Sequence, residues 1–333
     1  MKSFQRQLLH LAVGAAVMPA IVATVGVAGA QDWPTRPLTM VVAFAAGSSI
    51  DVLARILAPR LSELLGQTVI VENVSGAAGI IGTTRVAKAA PDGSQFLFAG
   101  AGSMAQTPLL YRNLSYGALS DFTPVALMVE TPLVLVTRKG LPAENLQQFI
   151  AYARINQAKM QYGSSGVGTT THLSCVLLNA LTGLSVTHVP YRGGGPAMQD
   201  LIAGRIDYQC PLAAVSIPQI ESKAVKAIAI LTRDRSPILP SVASAHDQGL
   251  ANFDAGAWFA FFLPKGTPAP IVQKLHDASI AAMTTLSVQA RLQENGATVV
   301  AADRRSSEYL QKFVENERVR WAAVIKAAGI SAN

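Results

Sequence analysis

LTMVVAFAAGSSIDVLARIL, residues 38–57, joins a strand pattern directly to a helix pattern. Residues 38–44 are mostly aliphatic and predict a buried strand, and apolar residues with helical spacing predict a helix over 51–65. The turn between them, residues 45–49, contains only alanine, glycine and serine. A buried strand that leads through a short turn into a helix is typical of an α/β unit with a parallel sheet.

The same order of strand and helix continues towards the C-terminus. Further strands are predicted at 68–73 and 95–100, with a helix at 80–89 between them. This β-α-β-α-β order implies a largely parallel sheet covered by helices on both faces. Pro59 lies inside the first predicted helix, and an interior proline removes a backbone hydrogen bond. We expect a kink there; the alternative is two short helices.

A second series of strands and helices starts after residue 131. The predicted strands are 132–140, 160–165, 186–191, 206–210 and 224–231, and the predicted helices are 145–158, 171–182 and 195–203. WFAFFLPKG at 258–266 then parallels PLVLVTRKG at 132–140. Long helices are predicted after it, at 269–284, 287–295 and 306–328.

The two similar strands suggest that the chain leaves one domain near residue 131 and returns to it near 256. We therefore predict an α/β protein of two domains, each a mostly parallel sheet flanked by helices. Domain 1 comprises 31–131 and 256–333, and domain 2 is inserted at 132–255. Two crossings between the domains would form a hinge, with a ligand cleft at the carboxyl ends of the strands.

The first thirty residues have the pattern of a secretory signal peptide. Lys2 and Arg6 precede an apolar run over 8–27, and Ala28-Gly29-Ala30 forms a small-residue cleavage site. Cleavage would release a soluble exported chain. The alternative is an uncleaved membrane anchor, since the apolar run approaches the roughly 20 residues that span a bilayer.

Charge and cysteine content narrow the class of protein. The net charge is +7, with no basic run interleaved with aromatic residues, so we expect no nucleic-acid partner. The histidines are dispersed and the cysteine spacing is not that of a metal site, so we expect no metal or other cofactor. Cys175 and Cys210 could form one disulfide in an exported protein, or remain two buried thiols.

Three turns rich in small residues each follow a predicted strand and precede a predicted helix: 45–49, 73–79 and 163–171. All three should face the cleft. Unpaired N–H groups and a partial positive charge at each helix start would together form an anion site made of backbone. The alternative for each turn is ordinary turn and capping chemistry.

Three ionisable residues near these turns have competing interpretations. Asp51 is expected to hold its own loop, because a free carboxylate would repel an anionic ligand. His172 is expected to support the third turn by capping or hydrogen bonding. Asp207 could contact a ligand in the cleft or fix a neighbouring loop.

Enzyme motifs are mostly absent. The sequence has no G-x-G-x-x-G fingerprint, no P-loop and no G-x-S-x-G nucleophile elbow at these turns. A Ser/His/Asp triad is defined by geometry rather than by order along the chain. An exported hydrolase that uses His172, a serine and Asp207 therefore stays an alternative hypothesis.

A set of longer motifs resembles the Bug-type periplasmic solute-binding receptors of tripartite tricarboxylate transporters. In order along residues 33–330, they are WPTRPLTMVVAFAAGSSIDVLARILA, VIVENVSGAAGIIGTTRVAKAAPDG, YGSSGVGTTTHL, THVPYRGGGPAMQDLIAGRID, RSPILPSV and FFLPKGTPAPIVQKL. The resemblance implies a two-domain "Venus flytrap" in the periplasm that binds small carboxylates or related solutes without catalysis.

The resemblance also implies partners and contacts. The partners would be a small organic acid and integral-membrane transporter subunits, with the receptor a monomer; a sensor for a membrane signalling protein is the alternative. The expected ligand-binding residues are Phe44, Ala45, Ala46, Gly47, Ser48, Ser49, Asn73, Gly76, Ala77, Ala78, Gly79, Ser103, Ser164, Ser165, Thr169, Thr170 and Asp207.

Overall fold

The computed structural model describes residues 33–111, 113–251, 253–327 and 329–330. The predicted signal peptide at 1–30 lies outside the described residues. The strands are β1 (Leu38–Val42), β2 (Val69–Asn73), β3 (Gln95–Gly100), β4 (Phe122–Thr131), β5 (Val134–Arg138), β6 (Gln161–Ser164), β7 (Thr187–Pro190), β8 (Tyr208–Gln209), β9 (Val225–Ile230), β10 (Ala257–Pro264) and β11 (Thr298–Val299).

Helices cover both sheets. They are α1 (Ser49–Leu65), α2 (Ile80–Ala87), α3 (Thr107–Leu110), α4 (Leu146–Asn156), α5 (Thr170–Thr182), α6 (Gly194–Ile202), α7 (Ala213–Glu221), α8 (Ala269–Thr284), α9 (Leu286–Glu294) and α10 (Ser307–Ala327). No helix among the described residues is long and apolar enough to cross a membrane.

The strands form two sheets, which makes this a two-domain α/β fold. The six-stranded sheet has the order β11-β4-β10-β3-β1-β2, and the five-stranded sheet has the order β7-β6-β8-β5-β9. We call the residues around these sheets the first lobe and the second lobe. The chain crosses from β4 to β5 and returns from β9 to β10, as the sequence predicted. The exact domain boundaries at 131 and 256 stay a prediction.

Both sheets are mixed rather than mostly parallel. β1 pairs in parallel with β2 and β3, and β6 with β7 and β8. The strands next to the crossings, β4, β5, β9 and β10, pair antiparallel. Their direction is reversed because the chain leaves each lobe along one strand and re-enters along another.

α1 is one helix that runs without interruption through Pro59, which excludes two short helices. Leu53, Leu57 and Leu61 on its inner face are fully buried, whereas Pro59 faces solvent. Burial of this apolar face stabilises the helix despite the hydrogen bond that proline removes. Gly66 ends the helix in the left-handed conformation that a glycine adopts without a steric penalty.

Cys175 in α5 and Cys210 just after β8 are joined in a disulfide. Both are fully buried in the hydrophobic core of the second lobe, beside Phe149 and Tyr208. Of the two possibilities that the sequence left open, the structure has the bridge.

Candidate functional site

We call the three small-residue turns the first loop (45–49), the second loop (73–79) and the third loop (163–171). The buried carboxylate of Asp51 holds the first two loops together. It accepts hydrogen bonds from the backbone N–H of Gly47 (2.8 Å), from Nδ2 of Asn73 (2.9 Å) and from Nε of Arg55 (3.1 Å). Burial opposes ionisation, but the hydrogen bonds from Arg55, Gly47 and Asn73 outweigh it, and the pKa of Asp51 is lowered. Asp51 is only 2% exposed, so it holds the loops together rather than facing a ligand.

The first loop offers fewer free backbone donors than the sequence suggested. Gly47 N–H donates to Asp51, and Ser48 N–H donates to the carbonyl of Ala45 (3.1 Å). The N–H groups of Ser49 and Ile50 precede the first helical hydrogen bond of α1, which runs from Val52 N to Ser48 O. The N–H groups of Ser49, which was among the predicted donors, and of Ile50, which was not, are therefore candidate donors to an anion.

The second loop turns sharply behind the first. Gly76, Ala77, Ala78 and Gly79 have positive φ angles of 135°, 46°, 54° and 91°. A β-carbon on Gly79 would lie 3.0 Å from Oγ of Ser103. This tight turn brings the backbone of Gly79 against Ser103, which follows β3.

The third loop is fixed by its own hydroxyl groups. Thr169 caps α5 through its Oγ1 and donates to the carbonyl of Gly166 (2.7 Å). Ser165 N–H donates to Oγ1 of Thr171 (3.0 Å). Ser164 is 1% exposed, and its Oγ lies 2.7 Å from Nε2 of His188.

Two neighbouring histidines lie under this loop, with their rings tilted by 31°. The rings of His172 and His188 are 4.1 Å apart, and Nδ1 of His172 accepts a hydrogen bond from Gly168 N–H (3.3 Å). Burial lowers the pKa of His172 to about 3, helped by the neighbouring His188, and burial lowers the pKa of His188 to about 4. Both rings are neutral at pH 7, and the contact with Gly168 is the loop-supporting arrangement expected for His172.

Asp207 does not face the cleft. Its carboxylate pairs with Nε of Arg138 (2.9 Å) and accepts a hydrogen bond from Gln161 N–H (2.9 Å). These contacts tie β5 to β6 and match the alternative in which Asp207 fixes a neighbouring segment. Because Asp207 is paired with Arg138, it is not available as the acid of the hydrolase hypothesis. The histidine next to Ser164 is His188, not the His172 of that hypothesis, and Ser164 itself is buried.

A cavity of about 150 Å³ lies between the lobes, at the carboxyl ends of β1, β3 and β6. The predicted ligand-binding residues on its wall are Phe44, Gly47, Ser48, Ser49, Ser103, Ser165, Thr169 and Thr170. The predicted residues that are not on its wall are Ala45, Ala46, Asn73, Gly76, Ala77, Ala78, Gly79, Ser164 and Asp207. Two of them contact residues that support or form the wall: Asn73 donates to Asp51 and to the carbonyl of Phe44, and Gly79 lies against Ser103.

Several wall residues were not predicted. They are Ile50, Gly100, Gly102, Thr171, Gly194, Gly195, Pro211, Leu212, Val215, Ala257 and Phe259. Gly194 and Gly195 start α6, and they are the last two residues of the stretch YRGGG (191–195) that follows β7. This is a fourth turn of small residues between a strand and a helix, so the sequence pattern that predicted the other three also applies to it.

The wall is chemically uneven. The Oγ atoms of Ser48, Ser49 and Ser103 are buried and have no hydrogen-bond partner among the described residues. All three lie in the first lobe, whereas Leu212 and Val215 give the second lobe an apolar surface. None of the wall residues that the structure describes is ionisable.

A larger cavity of about 580 Å³ lies beside the two crossings. Four of its charged side chains form two ion pairs, Arg304 with Glu130 and Arg320 with Glu317. Size alone would favour this cavity, but none of the three small-residue turns lines it. The smaller cavity, with its free hydroxyls, is the candidate site.

Two lobes joined by two crossings, with a small uncharged cavity between them, define the class of two-lobed solute-binding receptors. The chain matches the model of the tripartite tricarboxylate transporter family receptor over residues 53–330, and it belongs to that family. The resemblance to periplasmic Bug-type receptors is therefore confirmed.

Similar proteins include both curated relatives and solved structures. BugT of Bordetella pertussis is 34% identical, over 94% of this chain and 97% of BugT. MatC of Rhodopseudomonas palustris with bound malate is 38% identical, with a TM-score of 0.83 over 88% of this chain and 100% of that chain. A second R. palustris protein, with adipate, is 36% identical, with a TM-score of 0.85 over 90% of this chain and 99% of that chain.

Proposed function

We propose that this receptor captures a small carboxylate between its lobes by hinge closure and delivers it to the membrane subunits of a tripartite tricarboxylate-type transporter. The observation that carries the proposal is the group of buried, unpartnered hydroxyls of Ser48, Ser49 and Ser103 on the cavity wall. Buried polar groups are normally hydrogen-bonded. A carboxylate would supply the missing acceptors.

The electrostatics of the wall favour a plain carboxylate over an amino acid. The start of α1 directs free N–H groups and a partial positive charge towards Ser49, which stabilises an anion. An ammonium group would need a carboxylate partner, because burying an unpaired charge is costly. Asp51 and Asp207 are engaged elsewhere, so an amino-acid ligand would leave its cation unpaired.

The similar structures support the ligand class, since they hold malate and adipate. We propose that Ser48, Ser49 and Ser103 contact the carboxylate directly, while Thr169, Thr170 and the start of α6 meet the rest of the ligand. The remaining predicted residues would hold the loops. Export through cleavage after residue 30 and the absence of catalysis belong to the same proposal.

A thermal-shift screen tests ligand binding, with dicarboxylates, tricarboxylates, aromatic acids and amino acids as the panel. We expect carboxylates to raise the melting temperature and amino acids to have a smaller effect. Ser103→Ala should weaken binding of the best acid roughly 10-fold or more, because a hydrogen bond to a charged group contributes about 1.5–3 kcal/mol.

Ser222→Ala, at the exposed end of α7, is the matched control and should bind like the wild type. A panel in which no small solute shifts the transition would contradict the proposal. Delivery is tested separately, by whether the receptor captures permease subunits or a membrane signalling protein.

A further inference from the structure

One side-chain hydrogen bond joins the two lobes beside the candidate site. Oγ1 of Thr170 donates to Oε1 of Gln106 at 2.8 Å. Thr170 is the first residue of α5 in the second lobe. Gln106 ends a π-helical turn, Gly102–Gln106, that follows β3 in the first lobe.

Gln106 is completely buried, and its Nε2 has no hydrogen-bond partner among the described residues. A buried amide without a partner is unfavourable, so the side chain gains its stabilisation in this position from Thr170. That bond requires both lobes to be in place, because its donor and acceptor belong to different lobes. π-Helical turns are rare and often occur at functional sites.

The same contact region connects to the ligand cavity. Ser103, in the same π-helical turn, and Thr170 both line the cavity. Leu173, one turn further along α5, is completely buried in the hydrophobic core of the first lobe. A ligand that draws Ser103 and Thr170 together would therefore also bring Gln106 to its partner.

We propose that Gln106 and Thr170 form a closure latch, a positioning pair that stabilises the closed arrangement of the lobes and slows release of the ligand. This inference rests on the proposed solute capture by hinge closure. Apolar burial of Leu173 supplies contact area, and the hydrogen bond selects one relative position of the lobes.

The test measures the distance between the lobes by single-molecule fluorescence in the full receptor. Labels on Ile70→Cys in the first lobe and Ile155→Cys in the second use exposed positions, and the native cysteines are already joined to each other. Gln106→Met and Thr170→Val remove the acceptor and the donor with little change of volume. Each should lower the closed-to-open ratio about 2- to 12-fold, the range expected for one neutral hydrogen bond.

Three comparisons make the result decisive. Thr170→Ser keeps the hydroxyl and should keep the ratio. The double variant Gln106→Met/Thr170→Val should lower the ratio no more than either single variant, because both remove the same bond. Malate and adipate serve as probes, and Gln106→Met, which is not on the cavity wall, should release a bound probe faster with little change in its association rate.

An unchanged closed-to-open ratio in both single variants would overturn the latch, and so would a loss of stability to urea with the ratio unchanged. The latch also fails if the wild-type receptor has no closed population with or without a probe. If neither probe binds, the proposed ligand class is wrong. The effect of the variants on the closed-to-open ratio of the ligand-free protein then still tests the latch.

Discussion

Single residues that never touch the cavity still shape it. Asp51 gathers Gly47, Asn73 and Arg55 around one buried carboxylate, which fixes the loop that presents Ser48 and Ser49. The prediction that Asp51 holds its loop follows from charge alone, since an exposed carboxylate would repel an anion. The identity of its partners depends on β2 lying beside β1, which brings Asn73 within reach.

Substitution of Gly79 tests whether the second loop positions Ser103. Its φ of 91° is strained for other residues, and a β-carbon there would approach Oγ of Ser103 to 3.0 Å. Gly79→Ala should lower the free energy of unfolding by about 1 kcal/mol or more. It should also weaken carboxylate binding about 10-fold, because the displaced hydroxyl loses a hydrogen bond of the charged type.

Gly66→Ala is the matched control for this substitution. Gly66 has a φ of 69°, with open space around a β-carbon at the end of α1. It should lose similar stability in urea unfolding and keep its affinity in calorimetry. Equal affinity in Gly79→Ala and wild type would contradict the role given to the second loop.

His172 and His188 predict how stability depends on pH. Both pKa values are lowered in the folded protein, to about 3 and about 4, whereas an unfolded histidine has a pKa of about 6.5. Below about pH 6.5 the unfolded chain therefore binds more protons than the folded chain. The free energy of unfolding should therefore fall as the pH drops from about 6.5 towards 4. We expect each histidine to contribute a loss of about 2 kcal/mol between pH 7 and pH 5, so about 4 kcal/mol for the two together.

Urea unfolding at both pH values measures this loss. His172→Gln should reduce the pH dependence by roughly half, since it removes one of the two buried rings. His246→Gln, at an exposed position, is the control and should keep the full dependence. A wild-type protein equally stable at pH 7 and pH 5 would contradict the burial of neutral histidines.

At the scale of elements, the disulfide connects the two parts of the second-lobe wall. Cys175 belongs to α5, which starts at Thr170, and Cys210 directly precedes Pro211 and Leu212. The bridge thus holds the start of α5 near the apolar surface that follows β8. Neither cysteine is on the cavity wall itself.

Removing the bridge should cost stability and affinity together. The cysteines are 35 positions apart, and a closed loop of that length stabilises a fold by about 3–4 kcal/mol in the chain-entropy model. We expect the double variant Cys175→Ala/Cys210→Ala to lose about this much in urea unfolding and to bind acids more weakly. Reductant should destabilise the wild type and leave the variant unchanged; a variant as stable as the wild type would refute the prediction.

Some elements could be predicted from sequence and others could not. β1, α1 and β3 were predicted because an apolar strand pattern, a turn and a helical pattern follow each other without ambiguity. β4 was missed: it contains Pro124, and proline within a run argues against a strand. The strand tolerates Pro124 because it lies next to a register shift against β10 and beyond the two residues that pair with β11.

At the scale of the whole molecule, the proposed function depends on which surfaces the two lobes present to each other. The wall combines the start of α1 from one lobe with the starts of α5 and α6 from the other. Hinge closure around a ligand, on the microsecond to millisecond scale, is the motion that this architecture allows. Gln106 was not predicted because its partner Thr170 is 64 positions away and belongs to the other lobe.

Local patterns along the chain were enough to predict the two-lobed α/β fold, the crossings and the small-residue loops, because hydrophobic periodicity and turn residues act over short distances. Three features came only from three-dimensional packing: the pairing of Cys175 with Cys210, the engagement of Asp207 with Arg138, and the choice of hydroxyls left free on the cavity wall. Hydrogen bonds between distant segments decide whether a polar group is occupied or available, and the order of residues does not reveal which distant groups will meet.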